Sequence, residues 1–152
     1  MESAIKKKWK FQFNGLAKER ITIALRFTCM ALFLYTAYAK IVDHDRFLNG
    51  LSKVHIINGF AVYISYLVPL TEILVSLLLL IPQTAKWGLY TFTVLMSIFT
   101  CYIISALLWE KHLPCHCGGV IEKLSWLQHI WLNLAFISIA ISALRLVKSK
   151  MS

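Results

Sequence analysis

The sequence predicts an all-α integral membrane protein: a four-helix bundle with its N and C termini in the cytoplasm. Three observations carry this. The chain of 152 residues is 59% hydrophobic, with mean hydropathy +0.67, where a soluble domain is about 45–50% apolar. The excess gathers into four runs, each about the 20 residues that a bilayer core demands. Finally, Lys and Arg concentrate at the two ends of the chain, as they do on cytoplasmic flanks.

Met1 to Arg20 is a basic segment holding Lys6, Lys7, Lys8, Lys10, Lys18 and Arg20. The apolar run after it has full bilayer length and no A-x-A-like site, so it reads as a retained helix and not a cleaved signal peptide. The membrane domain spans 21–146, with helices expected at 21–41, 60–81, 87–109 and 126–146, and 147–152 forms a cytoplasmic tail. The connection at 82–86 is very short and predicts a tight antiparallel hairpin. The connections at 42–59 and 110–125 lie on the opposite side. With the termini inside, ten Lys and Arg fall on the inner side and five on the outer, and Arg26 stands within the first helix. The net charge of +9 therefore reads as membrane topology. No helix-turn-helix, zinc finger or basic-aromatic strand pattern points to nucleic acid. No second structural repeat points to a transporter.

The chemistry-bearing element is Cys115-His116-Cys117-Gly118-Gly119, in the outer connection before the fourth helix. Two thiols one residue apart can form a disulfide, pass one to a partner, or bind a soft metal. Pro114 stiffens the approach, and the two glycines permit a sharp turn. A disulfide between i and i+2 closes a small, strained ring, and strained exposed disulfides are the oxidising ones. Protonated His116 would lower a neighbouring thiol pKa, with Lys111 adding positive charge. Two other readings stand beside this one. The pair could be a passive disulfide. Alternatively, Cys115 and Cys117 with His112 or His116 could hold copper(I), a better match than zinc, whose structural sites use wider spacing. Cys101 and Cys29 could resolve a disulfide, although a Cys in an apolar helix is usually a small hydrophobe.

Ionisable and polar residues at membrane depth are costly and mark candidate function. Ser125, His129 and Asn133 recur every four residues and share one face of the fourth helix, directly beneath the thiols. His129 could shuttle a proton or hydrogen-bond a quinone carbonyl. Asn133 and Ser125 also suit plain interhelical hydrogen bonding. Glu72, after Pro69, and Arg26 are expected at similar depth, as a buried pair joining helices one and two or as part of a proton path. Lys40 is expected to snorkel and Asp43 to be a loop acid. Tyr63, Tyr66, Trp109 and Trp126 fit an outer aromatic belt.

The run Pro114-Cys115-His116-Cys117-Gly118-Gly119, then Leu124-Ser125-Trp126, His129 and Asn133, resembles the MauE branch of the DoxX-like membrane proteins. Arg26, Ala39-Lys40, Asp43, Phe47, Val68-Pro69 and Glu72 fit the same pattern, so the resemblance covers about 20–146. It implies a multi-pass protein of the bacterial inner membrane, facing an oxidising compartment. Its partners would be membrane lipid and an extracytoplasmic thioredoxin-like or disulfide-containing protein. The family is linked to maturing an extracytoplasmic, disulfide-rich dehydrogenase subunit. Gly118-Gly119 stand where the dehydrogenase-maturation version has a phenylalanine, which favours a related redox role in another pathway.

Two functions follow. In one, Cys115 and Cys117 exchange disulfides or electrons with the partner, with His116 and His129 assisting. In the other, the chain is a non-catalytic assembly or copper-delivery subunit. The layout is similar to that of quinone-linked disulfide-generating enzymes, which relay electrons between two Cys pairs. This chain shows one clear pair, so a quinone is the one cofactor conceivable and no cofactor is required. A small bundle of this kind also suits a homodimer.

Overall fold

A computed structural model of the chain describes the backbone of residues 2–54, 57–109 and 125–151, and the side chains of 15–54, 57–108, 125 and 127–147. Among the described residues, five α-helices and one 3₁₀ turn follow in order: α1 (Glu2–Val42), α2 (His44–Ser52), the turn (Asn58–Phe60), α3 (Ala61–Leu80), α4 (Ala85–Trp109) and α5 (Trp126–Met151). Four segments among the described residues are long and apolar enough to cross a membrane: Gly15–Val42, Asn58–Leu80, Ala85–Leu108 and Leu127–Val147. Apolar residues cover these helices nearly all round, and large side chains such as Leu70, Leu74 and Trp131 face outward. That is how a helix meets lipid.

The four long helices form a ring. α1 packs against α3 and α5, and α4 packs against the same two, so α1 and α4 share one diagonal. The end of the ring near the α3–α4 turn is closed by a dense core. Cys29 and Phe33 of α1, Val75 and Leu79 of α3, Leu89, Phe92 and Met96 of α4, and Ala140 and Ala143 of α5 are all buried in it. The Phe33 and Phe92 rings lie 4.3 Å apart, tilted by 38°. The hairpin at this end is short because Thr84 ties it back: its hydroxyl donates to the Leu78 carbonyl at 2.9 Å. Gly88 lets α4 approach α3. A Cβ there would stand 3.0 Å from backbone atoms of Leu78 and Leu79, the close approach that small residues provide between membrane helices.

The connection after α1 is more ordered than the sequence suggested. Residues 44–52 form α2, whose Phe47 and Leu51, four apart on one face, bury against Ala61, Ile64 and Val68 of α3. His44, Asp45, Arg46 and Asn49 made this stretch read as a loop. The Phe47/Leu51 repeat is the signal that marks it as an amphipathic helix. α1 itself is longer than the expected span and runs unbroken from the basic segment through 41 residues, about 60 Å at the helical rise.

Candidate functional site

Away from the closed end the bundle is hollow. A cavity of about 380 Å³ opens there, with walls from α1, α2, α3, α4 and α5. Its surface is mostly apolar, with Phe33, Phe47, Leu51, Ile64, Val68, Met96, Phe99 and Ile103 among the lining residues. Set into it are Thr36, Lys40, Glu72, Tyr102, His129 and Asn133.

The central feature is an ion pair. Lys40 Nζ donates to Glu72 Oε1 at 2.7 Å, and both residues are buried, at 8% and 1% exposure. The ammonium also reaches the Thr36 carbonyl at 3.4 Å and lies 5.8 Å from the centroid of the Phe47 ring and 5.9 Å from that of Phe99. A carboxylate, a carbonyl and two aromatic faces thus replace the water a Lys normally keeps. Glu72 Oε2 is buried, and the Thr36 hydroxyl is placed to hydrogen-bond the carboxylate.

This pairing corrects the expectation that Glu72 meets Arg26. Arg26 lies 14 positions before Lys40 on the same helix, about 21 Å along its axis. Matching depths from the start of the apolar run at Ile21 put the wrong residue opposite Glu72. α1 begins far before that boundary, at Glu2, and ends at Val42, and its last turn lies level with the middle of α3. Lys40 therefore does not snorkel. Arg26 has a buried Nε without a hydrogen-bond partner and takes no part in the cavity.

The local sequence explains how Glu72 is presented. Pro69 has no N–H, so the Ser65 carbonyl loses its helical partner one turn before Glu72. The Ser65 hydroxyl donates to the Val62 carbonyl at 2.7 Å and lies 3.1 Å from His44 Nε2, which then donates to it. The His44 ring stacks on Tyr66 at 4.5 Å. α2 is thereby pinned to the interrupted stretch of α3.

On the opposite wall, α5 begins with a reciprocal cap. The Ser125 amide donates to Gln128 Oε1 at 2.7 Å, and the Gln128 amide donates to Ser125 Oγ at 3.4 Å. This is a capping box, S-x-x-Q. Ser125 is thus exposed and structural, while its carbonyl orients His129, whose Nδ1 lies 3.1 Å away. A carbonyl only accepts, so Nδ1 carries a proton. Asn133 lies one turn further along the same face, buried and lining the cavity.

Of the residues singled out in the sequence, Glu72, His129 and Asn133 line one cavity. Arg26 and the Ser125 hydroxyl do not. Lys40, expected to snorkel, and Phe47 line it as well, and Tyr102 joins the site unforeseen. Lys40 could have been found by its spacing of seven from Phe47, which brings a ring over the ammonium once α2 folds back. Cys29 is fully buried in the closed core, and Cys101 is exposed on α4. Cys115, His116, Cys117 and His112 lie outside the described residues, as do the side chains of Trp109 and Trp126. Tyr63 and Tyr66 are exposed on α3.

The family described as methylamine utilisation protein MauE matches residues 18–146. Comparison with individual curated proteins and with solved structures returned no match.

Proposed function

Because the chain belongs to the methylamine utilisation protein MauE family and carries four candidate membrane spans among its described residues, we propose that it is a membrane redox protein. In this reading Cys115 and Cys117 face the extracytoplasmic side of a bacterial inner membrane. There they exchange a disulfide with a thioredoxin-like or disulfide-containing partner during its maturation. The attacking thiolate of one chain opens the S–S bond of the other, a mixed disulfide forms, and the second thiol of the pair displaces it. The two electrons and two protons stay balanced between the two pairs.

The observation that carries this reading is the position of His129. It is the first buried polar side chain after the connection that bears the thiols, at the opening turn of α5. There the Ser125 carbonyl orients its ring. Thiol exchange needs a group that takes and returns a proton near neutral pH, and imidazole is that group. The family description names methylamine utilisation.

The test is a redox titration of Cys115 and Cys117 in membranes, read by a mass-tagged maleimide across a glutathione series. Reversible titration near or above about −230 mV is the behaviour of an exchanger. Cys115→Ser and Cys117→Ser should each abolish exchange, and one of them should trap a mixed disulfide. A pair that stays oxidised below about −300 mV is a structural clip and removes the proposal. Thiols shielded until a chelator is added would put copper delivery in its place.

A further inference from the structure

We infer that Arg26, at the closed end of the bundle, binds the phosphate of an anionic phospholipid headgroup. Positions 26, 29, 33, 37 and 40 of α1 fall on one helical face. Cys29, Phe33, Ala37 and Lys40 on that face are all buried. Arg26 therefore continues the inward stripe one turn beyond Cys29. Cys29 shares the closed core with Leu79, Leu89 and Ala143, so Arg26, about 4.5 Å further along, lies close to the level of the α3–α4 turn. Trp87 and Tyr90 sit at this end of α4, both exposed, with ring centroids 6.4 Å apart. Aromatic side chains of this kind gather where the apolar core of a bilayer meets the headgroups.

The guanidinium has no counter-charge there. Arg26 takes part in no ion pair among the described residues. Its Nε is buried without an acceptor, and its Cζ lies 5.7 Å from the centroid of the adjacent Phe27 ring. Glu19 is the only acidic side chain described at this end, and seven residues of helix separate the two, about 10 Å. Lys18, Arg20 and Arg145 add exposed positive charge. Water could accept from the N–H groups, but it would leave the charge uncompensated beside apolar side chains, which is costly at membrane depth. An anion removes that cost. The anion that a bilayer supplies at this level is a phosphodiester, whose paired oxygens match the planar fork of a guanidinium. The surrounding excess of positive charge selects a headgroup of net negative charge over a zwitterionic one. Free phosphate offers the same chemistry, and the experiment separates the two sources.

The experiment is native mass spectrometry of the purified full chain in neutral detergent, titrated with phosphatidylglycerol and, separately, with phosphatidylcholine. Wild type should prefer phosphatidylglycerol. Arg26→Gln should weaken phosphatidylglycerol binding by about tenfold or more, the loss of a hydrogen bond to a charged group, and should erase the preference. Arg26→Lys keeps the charge without the fork and should fall between the two. Arg145→Gln removes an exposed charge from the same end and should change binding by less than about fivefold. Melting in neutral detergent guards against a folding defect. Arg26→Gln should melt at or above the wild-type temperature, since it removes an uncompensated charge, and added phosphatidylglycerol should raise the melting temperature of wild type alone. Equal binding of the two lipids by wild type overturns the site, as does a loss in Arg26→Gln no larger than that in Arg145→Gln. An Arg26→Gln variant that melts well below wild type would make Arg26 a structural residue and also overturn it. Displacement of phosphatidylglycerol by an equal concentration of glycerol phosphate would overturn the lipid assignment, the ligand then being free phosphate.

Discussion

Lys40 on the last turn of α1 and Glu72 in the middle of α3 meet at 2.7 Å inside the bundle. One contact joins two helices and sets the level at which they pack. It also places both charges on the wall of the cavity that His129 and Asn133 face from α5.

Breaking this pair on one side should be expensive. Lys40→Met leaves a buried carboxylate and Glu72→Leu a buried ammonium, and each should cost about 3–5 kcal/mol. The double variant should recover most of that loss, because apolar replacements of a buried pair are often neutral. Unfolding of detergent-solubilised protein, arranged as a double-mutant cycle, measures it. Equal, additive losses would show that the two residues do not act on each other.

Gly88 sits where α4 touches the backbone of α3. Gly88→Ala should push the hairpin apart and cost about 1–3 kcal/mol, as overpacking does. Gly59→Ala, with nothing within 4 Å of its Cβ position, should stay within about 0.5 kcal/mol of wild type. Thermal melting of the two variants side by side checks the contrast.

The capping box predicts a smaller effect. Ser125→Ala should destabilise the start of α5 by about 1 kcal/mol. Ser125→Asp, which can cap equally well, should restore it. Amide exchange in the first turn of α5 should rise in the first variant and return to normal in the second.

The two Cys within the membrane spans should behave differently. A membrane-permeant maleimide should label Cys101 in the folded protein and reach Cys29 only after denaturation, because Cys29 is fully buried beside Phe33 and Leu79. Cys29→Ala should leave disulfide exchange intact. Labelling of native Cys29 would mean that the closed end opens.

Much of this was legible in the residues. Long apolar runs have to become helices in a bilayer, since the backbone has no other partner there, so the four spans follow from composition. His129 and Asn133 were legible as neighbours because a helix brings positions four apart to one face. Glu72 stood out as a carboxylate at bilayer depth. Its partner did not. Arg26 and Lys40 are both cations on the same helix, and an apolar run does not say how far one helix slides along another. α2 was hidden because its polar residues masked a two-residue apolar face that matters only once α3 is beside it.

The residues of this chain alone determined its class, its four spans, its membership of a pattern built around Cys115 and Cys117, and its buried polar positions. Each depends on local composition or helical spacing. The tertiary structure decided that Lys40 and not Arg26 neutralises Glu72. It also decided that one end of the bundle is packed solid and the other hollow, and that three ionisable side chains from three helices share the hollow. Those outcomes depend on the axial offset between helices, which is set by how the Phe33 and Phe92 side chains pack and how closely Gly88 lets α4 approach α3, and no single segment encodes that offset.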